Sequence, residues 1–255
     1  MSKKILVTST DLMMVQFLLP HIRNLFENGY VVEVACSDVG GRMDEIHEKI
    51  RDCVRKIHTV DLHRSPAAPG NFKGYRQMKA IIEKGHYDII WTNEPVMGVV
   101  TRLAARRVRK SGTKVLYMVH GFHFYKGAPR VNWMIYYPIE KIMASKADVI
   151  CTVNREDYKR TQKFNVEQVR YIHGIGINTA RLTPGKKQND IRLELGLNKD
   201  DFIVLSVGEL NENKNQKVII EALSVLNDKK IHYLLCGKGN QADALKKLVA
   251  ERHLE

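Results

Sequence analysis

Ile89-Ile90-Trp91-Thr92-Asn93-Glu94-Pro95, a helix-period run from Val96 to Arg109, and Lys114-Val115-Leu116-Tyr117-Met118-Val119-His120-Gly121 follow one another near the middle of a 255-residue chain. The first and last runs are short and apolar, as strands buried in a sheet are. The run between them is long enough to cross over a sheet, so the three read as strand, helix, strand. That order predicts parallel pairing with helices covering both faces.

The same alternation extends in both directions. Upstream, Lys4–Thr8 reads as a strand. Val15–Asn28 reads as a helix with Phe17, Leu18, Ile22, Leu25 and Phe26 on one face and Asn28-Gly29 as its stop. Val31–Cys36 is a strand, Met43–Arg55 a helix and Lys56–Leu62 a strand. Ser65–Lys73 is a loop and Gly74–Lys84 a helix. Downstream, Asn132–Ala144 is a helix and Val149–Val153 a strand. Thr183–Asp190 is polar and turn-rich, which predicts a first domain over 1–182 and a linker over 183–198. From 199 to 255 the alternation restarts: Phe202–Val207 strand, Gln216–Leu226 helix, His232–Cys236 strand, Ala242–Arg252 helix. A Rossmann-like domain usually holds about five or six strands, so this second domain is expected to be cut short.

Composition sets the outer bounds. Apolar residues make up 44% and charged residues 27% of the chain, which predicts a globular core. No apolar run reaches the roughly 20 residues that span a bilayer. Met1-Ser2-Lys3-Lys4 leads into only Ile5-Leu6-Val7, too short for a secretory leader, so the expected location is the cytoplasm. Cys36, Cys53, Cys151 and Cys236 show neither Cys-x-x-Cys nor zinc spacing, so free thiols and no metal site are expected. The net charge of +13 predicts attraction to anions: phosphates, nucleic acid or an acidic membrane surface. No recognised nucleic-acid module accompanies it, so no specific nucleic acid is expected.

Ligands of open parallel sheets bind beyond the carboxyl ends of the strands, so the strand exits are the candidate site. His120 stands at one such tip, either as a ligand-facing group or as a histidine packed in the core. Gly121 lets the backbone approach closely, and Phe122, His123 and the aromatics that follow form a candidate cleft wall. After Val207 come Gly208-Glu209-Leu210-Asn211-Glu212-Asn213-Lys214-Asn215 and a helix. A glycine exit with Lys214 near a helix N-terminus suits a diphosphate; the alternative is a solvated lysine beside an Asn213 or Asn215 cap. Cys236-Gly237-Lys238-Gly239 repeats the exit, which puts Gly237 and Lys238 within reach of a nucleotide. Neither exit is a Walker loop, and Thr8-Ser9-Thr10-Asp11 is not a dinucleotide fingerprint, which argues against an NAD enzyme. Arg102, Arg106 and Arg109 fall at helical spacing. They read as a solvated face or as a surface that meets acidic lipid head groups.

Several ordered stretches resemble the family 4 retaining glycosyltransferases of bacterial capsule and exopolysaccharide assembly. They are His120–Lys141, with its Trp133 and Tyr136-Tyr137-Pro138; Asn154-Arg155-Glu156-Asp157-Tyr158; His173-Gly174-Ile175-Gly176-Ile177-Asn178; and Ser206–Leu210 with Asn213-Lys214-Asn215. The resemblance implies an α/β, GT-B-like fold of two Rossmann-like parallel-sheet domains, the second truncated. It implies a sugar transferred with retention from a nucleotide-diphosphate sugar, a UDP-sugar foremost, to a glycan or polyprenyl-linked acceptor, without a cofactor. Lys214 matches the lysine that holds the donor diphosphate, with Gly208 beside it. Glu209 falls where many relatives carry an arginine. His120 matches the histidine beside the transferred sugar, while Thr10 and Asn93 fall on the acceptor side of the cleft. Relatives continue further and carry a Glu-x7-Glu donor segment; Glu221, Glu251 and Glu255 do not form that pair. The rival readings are a sugar-nucleotide epimerase of the same fold and a non-catalytic, truncated homologue.

Overall fold

The computed structural model describes residues 2–10, 12–38, 43–66, 68–174, 176, 179 and 191–255. The chain divides into two compact units, residues 1–177 and 178–255. The first holds strands β1 (Lys4–Ser9), β2 (Val31–Cys36), β3 (Lys56–Thr59), β4 (Ile89–Asn93), β5 (Lys114–Val119), β6 (Val149–Thr152) and β7 (Gln168–Tyr171). Between them run α1 (Leu12–Glu27), α2 (Met43–Ile50), α3 (Gly70–Gly85), α4 (Pro95–Ala104), α5 (Arg106–Arg109), α6 (Arg130–Ala144) and α7 (Arg155–Thr161). The strands form one seven-stranded sheet, ordered β3-β2-β1-β4-β5-β6-β7, with every neighbour parallel.

Alternation along the strands explains the layering. Ile5 and Val7 of β1 join Val32 and Val34 of β2 in a core against Val15, Leu18 and Ile22 of α1. Leu6, between them in sequence, points to the opposite face, where Ile90 and Val115 meet Met78 and Ile82 of α3 and Val100 of α4. Burying a side chain of this size stabilises by about 1.5–3 kcal/mol, so each face repays its covering helices. A third cluster joins Tyr117, Val119 and Ile150 to Phe122, Phe124 and Phe164.

Two features depart from the sequence reading. The seventh strand and α7 were not expected. β7 has only four residues, alternates between exposed and half-buried, and lies at the sheet edge, where the periodic signal is weakest. The arginines of the crossover helix do not share a solvated or lipid-facing side. Arg102 is fully buried: its Nε donates to Gly98 O (2.8 Å) and its Nη2 to Glu140 Oε2 (2.9 Å), with the guanidinium 4.0 Å from the Tyr117 ring centre. Tyr117 OH donates to the other Glu140 oxygen. Arg109 is drawn to Asp148 at 3.0 Å, and only Arg106 is left exposed of the three. A partner carboxylate 38 positions away, invisible to local spacing, turned a charge pattern into core.

The second unit holds a single-turn α8 (Ile191–Glu194), β8 (Phe202–Val207), α9 (Lys217–Leu226), β9 (Ile231–Cys236) and α10 (Ala242–Glu251). β8 and β9 pair in parallel, Phe202 opposite Ile231 through Val207 opposite Cys236. Of the expected linker, 183–198, residues 183–190 lie outside the described residues, and 191–194 of the remainder are helical. Cys36, Cys53 and Cys151 are buried and Cys236 is exposed.

Candidate functional site

Strand order in the first sheet reverses between β1 and β4, the point at which open parallel sheets leave a crevice for a ligand. The residues leaving these two strands are bound to one another. Thr8 Oγ1 donates to Thr92 Oγ1 at 2.8 Å. Asn93 Nδ2 donates to Thr8 O at 3.2 Å. The Glu94 carboxylate accepts from Thr10 N at 2.8 Å and from Ser9 Oγ at 2.5 Å. Thr10 Oγ1 in turn accepts from Met97 N at 3.1 Å, so a residue after β1 occupies an orphan donor in the first turn of α4. Ser37, leaving β2, donates to Thr10 O at 2.6 Å. Glu94 pays for this arrangement with a backbone at φ 64° and ψ 156°, a sparsely populated region for any side-chain-bearing residue.

His120 leaves β5 alongside. Its Nε2 lies 3.0 Å from Asn93 Oδ1. Because the Asn93 amide nitrogen is already committed to Thr8 O, the histidine is the donor and Nδ1 is left as an acceptor. Burial pushes its basicity below that of an ordinary imidazole, so the ring is neutral at physiological pH.

A cavity of about 360 Å³ opens at these exits, lined by Thr10, Arg64, Pro66, Glu94, His123 and Tyr136, with Pro95 and Val96 at the start of α4. The His123 and Tyr136 rings stack at 4.6 Å, and Asn132 Nδ2 fixes the His123 backbone oxygen at 2.9 Å. Of the acceptor-side residues expected from sequence, Thr10 and His123 line this cavity. Asn93 is fully buried, and neither it nor His120, to which it is bonded, is among the residues lining this cavity. Phe122 is a correction: its ring stacks on Phe124 at 4.6 Å within the core, and its amide donates to Asp157 Oδ2. Apolar bulk next to Val119 outweighed its place in an aromatic strand exit. Tyr136 was quoted within the His120–Lys141 stretch but given no role, and Arg64 was not singled out; Arg64 sits in a proline-rich loop whose return to the β1 exit has no local signal.

In the second unit the two glycine exits lie edge to edge. Gly208 N donates to Cys236 O, Leu210 N to Lys238 O and Gln241 N to Leu210 O, each at 3.0 Å. A Cβ on Gly237 would stand 1.8 Å from Gly208 O, and Gly208 itself adopts φ 155°. Only glycine permits this approach. Lys214 and Lys238 are exposed. Asn211 Oδ1 accepts from Lys214 N at 3.0 Å, which sets the turn before α9. Neither Asn213 nor Asn215 caps that helix. The N-cap is Gln216, without a side-chain cap bond; its side chain instead donates to Glu209 O at 3.0 Å. The Glu209 side chain is exposed. Gly237 and Lys238 also line a hollow of about 640 Å³ whose other walls include Leu210, Leu235 and Leu245. Among the described residues no cluster of three His, Cys, Asp or Glu side chains could hold a metal ion, and no helix is long and apolar enough to cross a membrane.

Comparison with known proteins bears on both units. The family model described as Glycosyltransferase Family 4 matches residues 15–181, and that described as Glycosyl transferases group 1 matches 187–255. The chain is 40% identical over 246 residues to the putative glycosyltransferase EpsD of Bacillus subtilis, covering 94% of this chain and 62% of that one. It is 24% identical over 224 residues to the UDP-Gal:alpha-D-GlcNAc-diphosphoundecaprenol alpha-1,3-galactosyltransferase of Escherichia coli, covering 84% and 56%. Among solved structures it is similar to Anabaena Alr3699/HepE in complex with UDP and glucose, with a TM-score of 0.68 and 16% identity over 99% of this chain and 67% of that one. The chain thus spans about three-fifths of the length of these curated relatives. With two parallel-sheet units of the GT-B kind, and a family model matched over most of its length, the chain belongs to the family 4 glycosyltransferases.

Proposed function

We propose that this chain carries part of the machinery of a retaining glycosyltransferase. The enzyme moves a sugar from a nucleotide diphosphate, UDP foremost, to a hydroxyl of a glycan or lipid-linked acceptor in cell-surface polysaccharide synthesis. The observation that carries the reading is the paired glycine exit, Gly208 against Gly237, followed by Lys214 and the N-terminus of α9. Bare backbone, a helix N-terminus and a cation together suit a diphosphate. Of the proteins named above, Alr3699/HepE is in complex with UDP and glucose, and the Escherichia coli enzyme is named for UDP-Gal and a GlcNAc-diphosphoundecaprenol acceptor.

In this reading Lys214 and Gly208 hold the diphosphate and stabilise the charge that develops on it as the glycosidic bond breaks. Gly237 and Lys238 serve the nucleoside. Glu209 contributes backbone, its carbonyl fixing Gln216, since its carboxylate has the wrong sign for a phosphate. Neutral His120, oriented by Asn93, offers an acceptor nitrogen to a sugar hydroxyl. The stacked His123 and Tyr136 rings, with Thr10, Arg64 and Glu94, form an acceptor subsite in which ring faces meet sugar C–H bonds and charged groups meet hydroxyls.

Calorimetric titration with UDP tests the donor half. The chain binds UDP, and Lys214→Ala weakens that binding by about tenfold or more, in proportion to one lost charge-assisted bond and its Coulombic share. Equal affinity in the variant would remove Lys214 from the diphosphate site. A second reading is a homologue that binds without catalysing. UDP binding with no UDP released from any UDP-sugar plus lipid-linked acceptor would select it. An epimer formed from donor alone would select an epimerase instead.

A further inference from the structure

Burial alternates along the loop that leaves β5. Gly121, His123 and Tyr125 are exposed, while Phe122 and Phe124 are buried. The two phenylalanine rings stack on each other in the core, and His123, between them in sequence, turns the other way and stacks on Tyr136 of α6. Three backbone groups of this loop, at alternate residues, are bonded to side chains of α7. Phe122 N donates to Asp157 Oδ2 at 3.0 Å, Arg160 Nη1 donates to Phe124 O at 2.8 Å, and Lys126 N donates to Glu156 Oε1 at 2.7 Å. Arg160 joins the set together: its Nη2 donates to the same Glu156 oxygen at 2.8 Å, and its Nη1 lies 3.6 Å from Asp157 Oδ1. The bonds from Arg160 and from Lys126 N hold the Glu156 carboxyl below its ordinary pKa, so it is ionised at neutral pH. Arg160 also reaches α6. Its guanidinium stands 4.7 Å from the Trp133 ring centre and 5.6 Å from that of Phe124. Trp133 and Tyr136 are one turn apart on α6 and pack on the same aromatic cluster.

We propose that Glu156, Asp157 and Arg160 are positioning residues that set the His123 and Tyr136 rings against each other. None of the three lines the cavity, so each acts through the two rings that do. Arg160 is the centre of the device because it touches both elements that bring the rings together, the loop bearing His123 and the helix bearing Tyr136. Charge-assisted bonds suit the task, since they are short and directional. Asp157 and Arg160 are well covered, with side chains 3% and 16% exposed, so water and salt compete little for their bonds. A sugar that meets a pair of ring faces needs those faces held to within about 0.5 Å, and a loop lying outside the sheet has no ladder of its own to hold them. The use of the clamp rests on the reading of this cavity as an acceptor subsite; its geometry does not.

Proton NMR of the whole chain reads the ring geometry directly. The His123 ring protons, assigned with His123→Gln, lie over the Tyr136 ring and are displaced upfield; Tyr136→Leu abolishes the displacement and so calibrates it. Glu156→Ala removes the oxygen shared by Lys126 N and Arg160 and is expected to lose most of that displacement. Glu156→Gln, whose amide oxygen still accepts both bonds, keeps it. Arg160→Met, which retains apolar contact with Trp133 and Phe124 but has no donor, behaves as Glu156→Ala does. A role in stability alone would lower the melting temperature and leave the His123 signals of the folded molecules in place, and that result would overturn the proposal. Equal loss in the alanine and glutamine variants of Glu156 would overturn it too, since the hydrogen-bond geometry would then not matter. Saturation-transfer measurements with octyl β-D-glucoside and octyl β-D-galactoside test the use of the clamp. Glu156→Ala and Arg160→Met weaken their binding by about three- to tenfold, the share of an aromatic contact, and Glu156→Gln does not. A wild type that binds neither glycoside, with the ring displacements as expected, would overturn the acceptor reading of the cavity and uphold the clamp.

Discussion

Glu33 carries an unusual share of charge at the base of the first sheet. Its Oε1 lies 2.8 Å from Lys4 Nζ, and its Oε2 lies 2.8 Å from His58 Nε2 and accepts from Tyr87 OH at 2.6 Å. Burial alone would raise its pKa, but the bonds from His58, Lys4 and Tyr87 outweigh it and hold the group at about 2 against an ordinary 4.5. The same contact and burial push the Tyr87 phenol well above its usual range. A carboxyl depressed in the folded state stabilises above its unfolded pKa, and that stability is lost as pH falls from about 4.5 through about 2. The amount is on the order of 3 kcal/mol. Urea midpoints measured between pH 6 and pH 3 are therefore expected to fall more steeply for the wild type than for Glu33→Gln. Parallel slopes would mean that the tetrad does not hold its proton off. None of this was legible from residue types: a glutamate inside Val-Val-Glu-Val-Ala-Cys interrupts a buried strand, and its partners come from β1, β3 and the α3–β4 loop.

At the level of elements, periodicity carried most of the information. Every strand from β1 to β6, and both strands of the second unit, were legible as short runs between helices; for β1, β2, β4, β5 and β6 the reason is that strands covered on both faces have no polar alternation to confuse them. What periodicity could not supply was pairing at long range. The arginines of the crossover helix were misread because Glu140 lies on another helix, and Phe122 because an aromatic at a strand exit can close a core as well as a cleft. The cap of α7 illustrates the boundary. Asn154 with Asp157 three residues on fits a helix-start pattern that was not used to expect α7, and Asn154 Oδ1 does accept from Asp157 N at 2.8 Å. Its Nδ2 also donates to Asp157 Oδ2, the atom that accepts from Phe122 N in the loop after β5. That second role ties the helix start to the loop bearing His123 and has no sequence signal. Asn154→Ala is expected to cost about 1–2 kcal/mol, a fall in melting temperature of roughly 2–4 °C per kcal/mol for a chain of this size. Asn154→Ser, which can still accept from Asp157 N, recovers more of it than Asn154→Asp, which sets a second carboxylate against Asp157. A melting curve unchanged by the alanine variant would show that the cap bond is replaced by water at no cost.

For the whole molecule, the distribution of buried surface differs between the two units. The first unit encloses three apolar clusters, on both faces of its sheet and beneath α6. Among the described residues of the second, only Leu210, Ile220 and Leu245 form a fully buried cluster. Phe202, Leu205 and Val207 of β8 stand exposed, and a two-stranded sheet gives each strand hydrogen-bonding partners on one side only. Apolar burial is the main term opposing chain entropy, and a unit of fewer than 80 residues with this little core sits near the limit of independent stability. The chain is therefore expected to unfold in more than one step. Native-state hydrogen exchange is the direct check: the amides of β8 and β9 exchange through a low-energy opening while those of β1, β2, β4 and β5 exchange only with the first unit's global unfolding. Saturating UDP, if it binds at the glycine exits, slows exchange in β8 and β9 and leaves the first sheet unchanged. Uniform protection across all nine strands would contradict this, and would mean that the second unit draws its stability from something other than its own core.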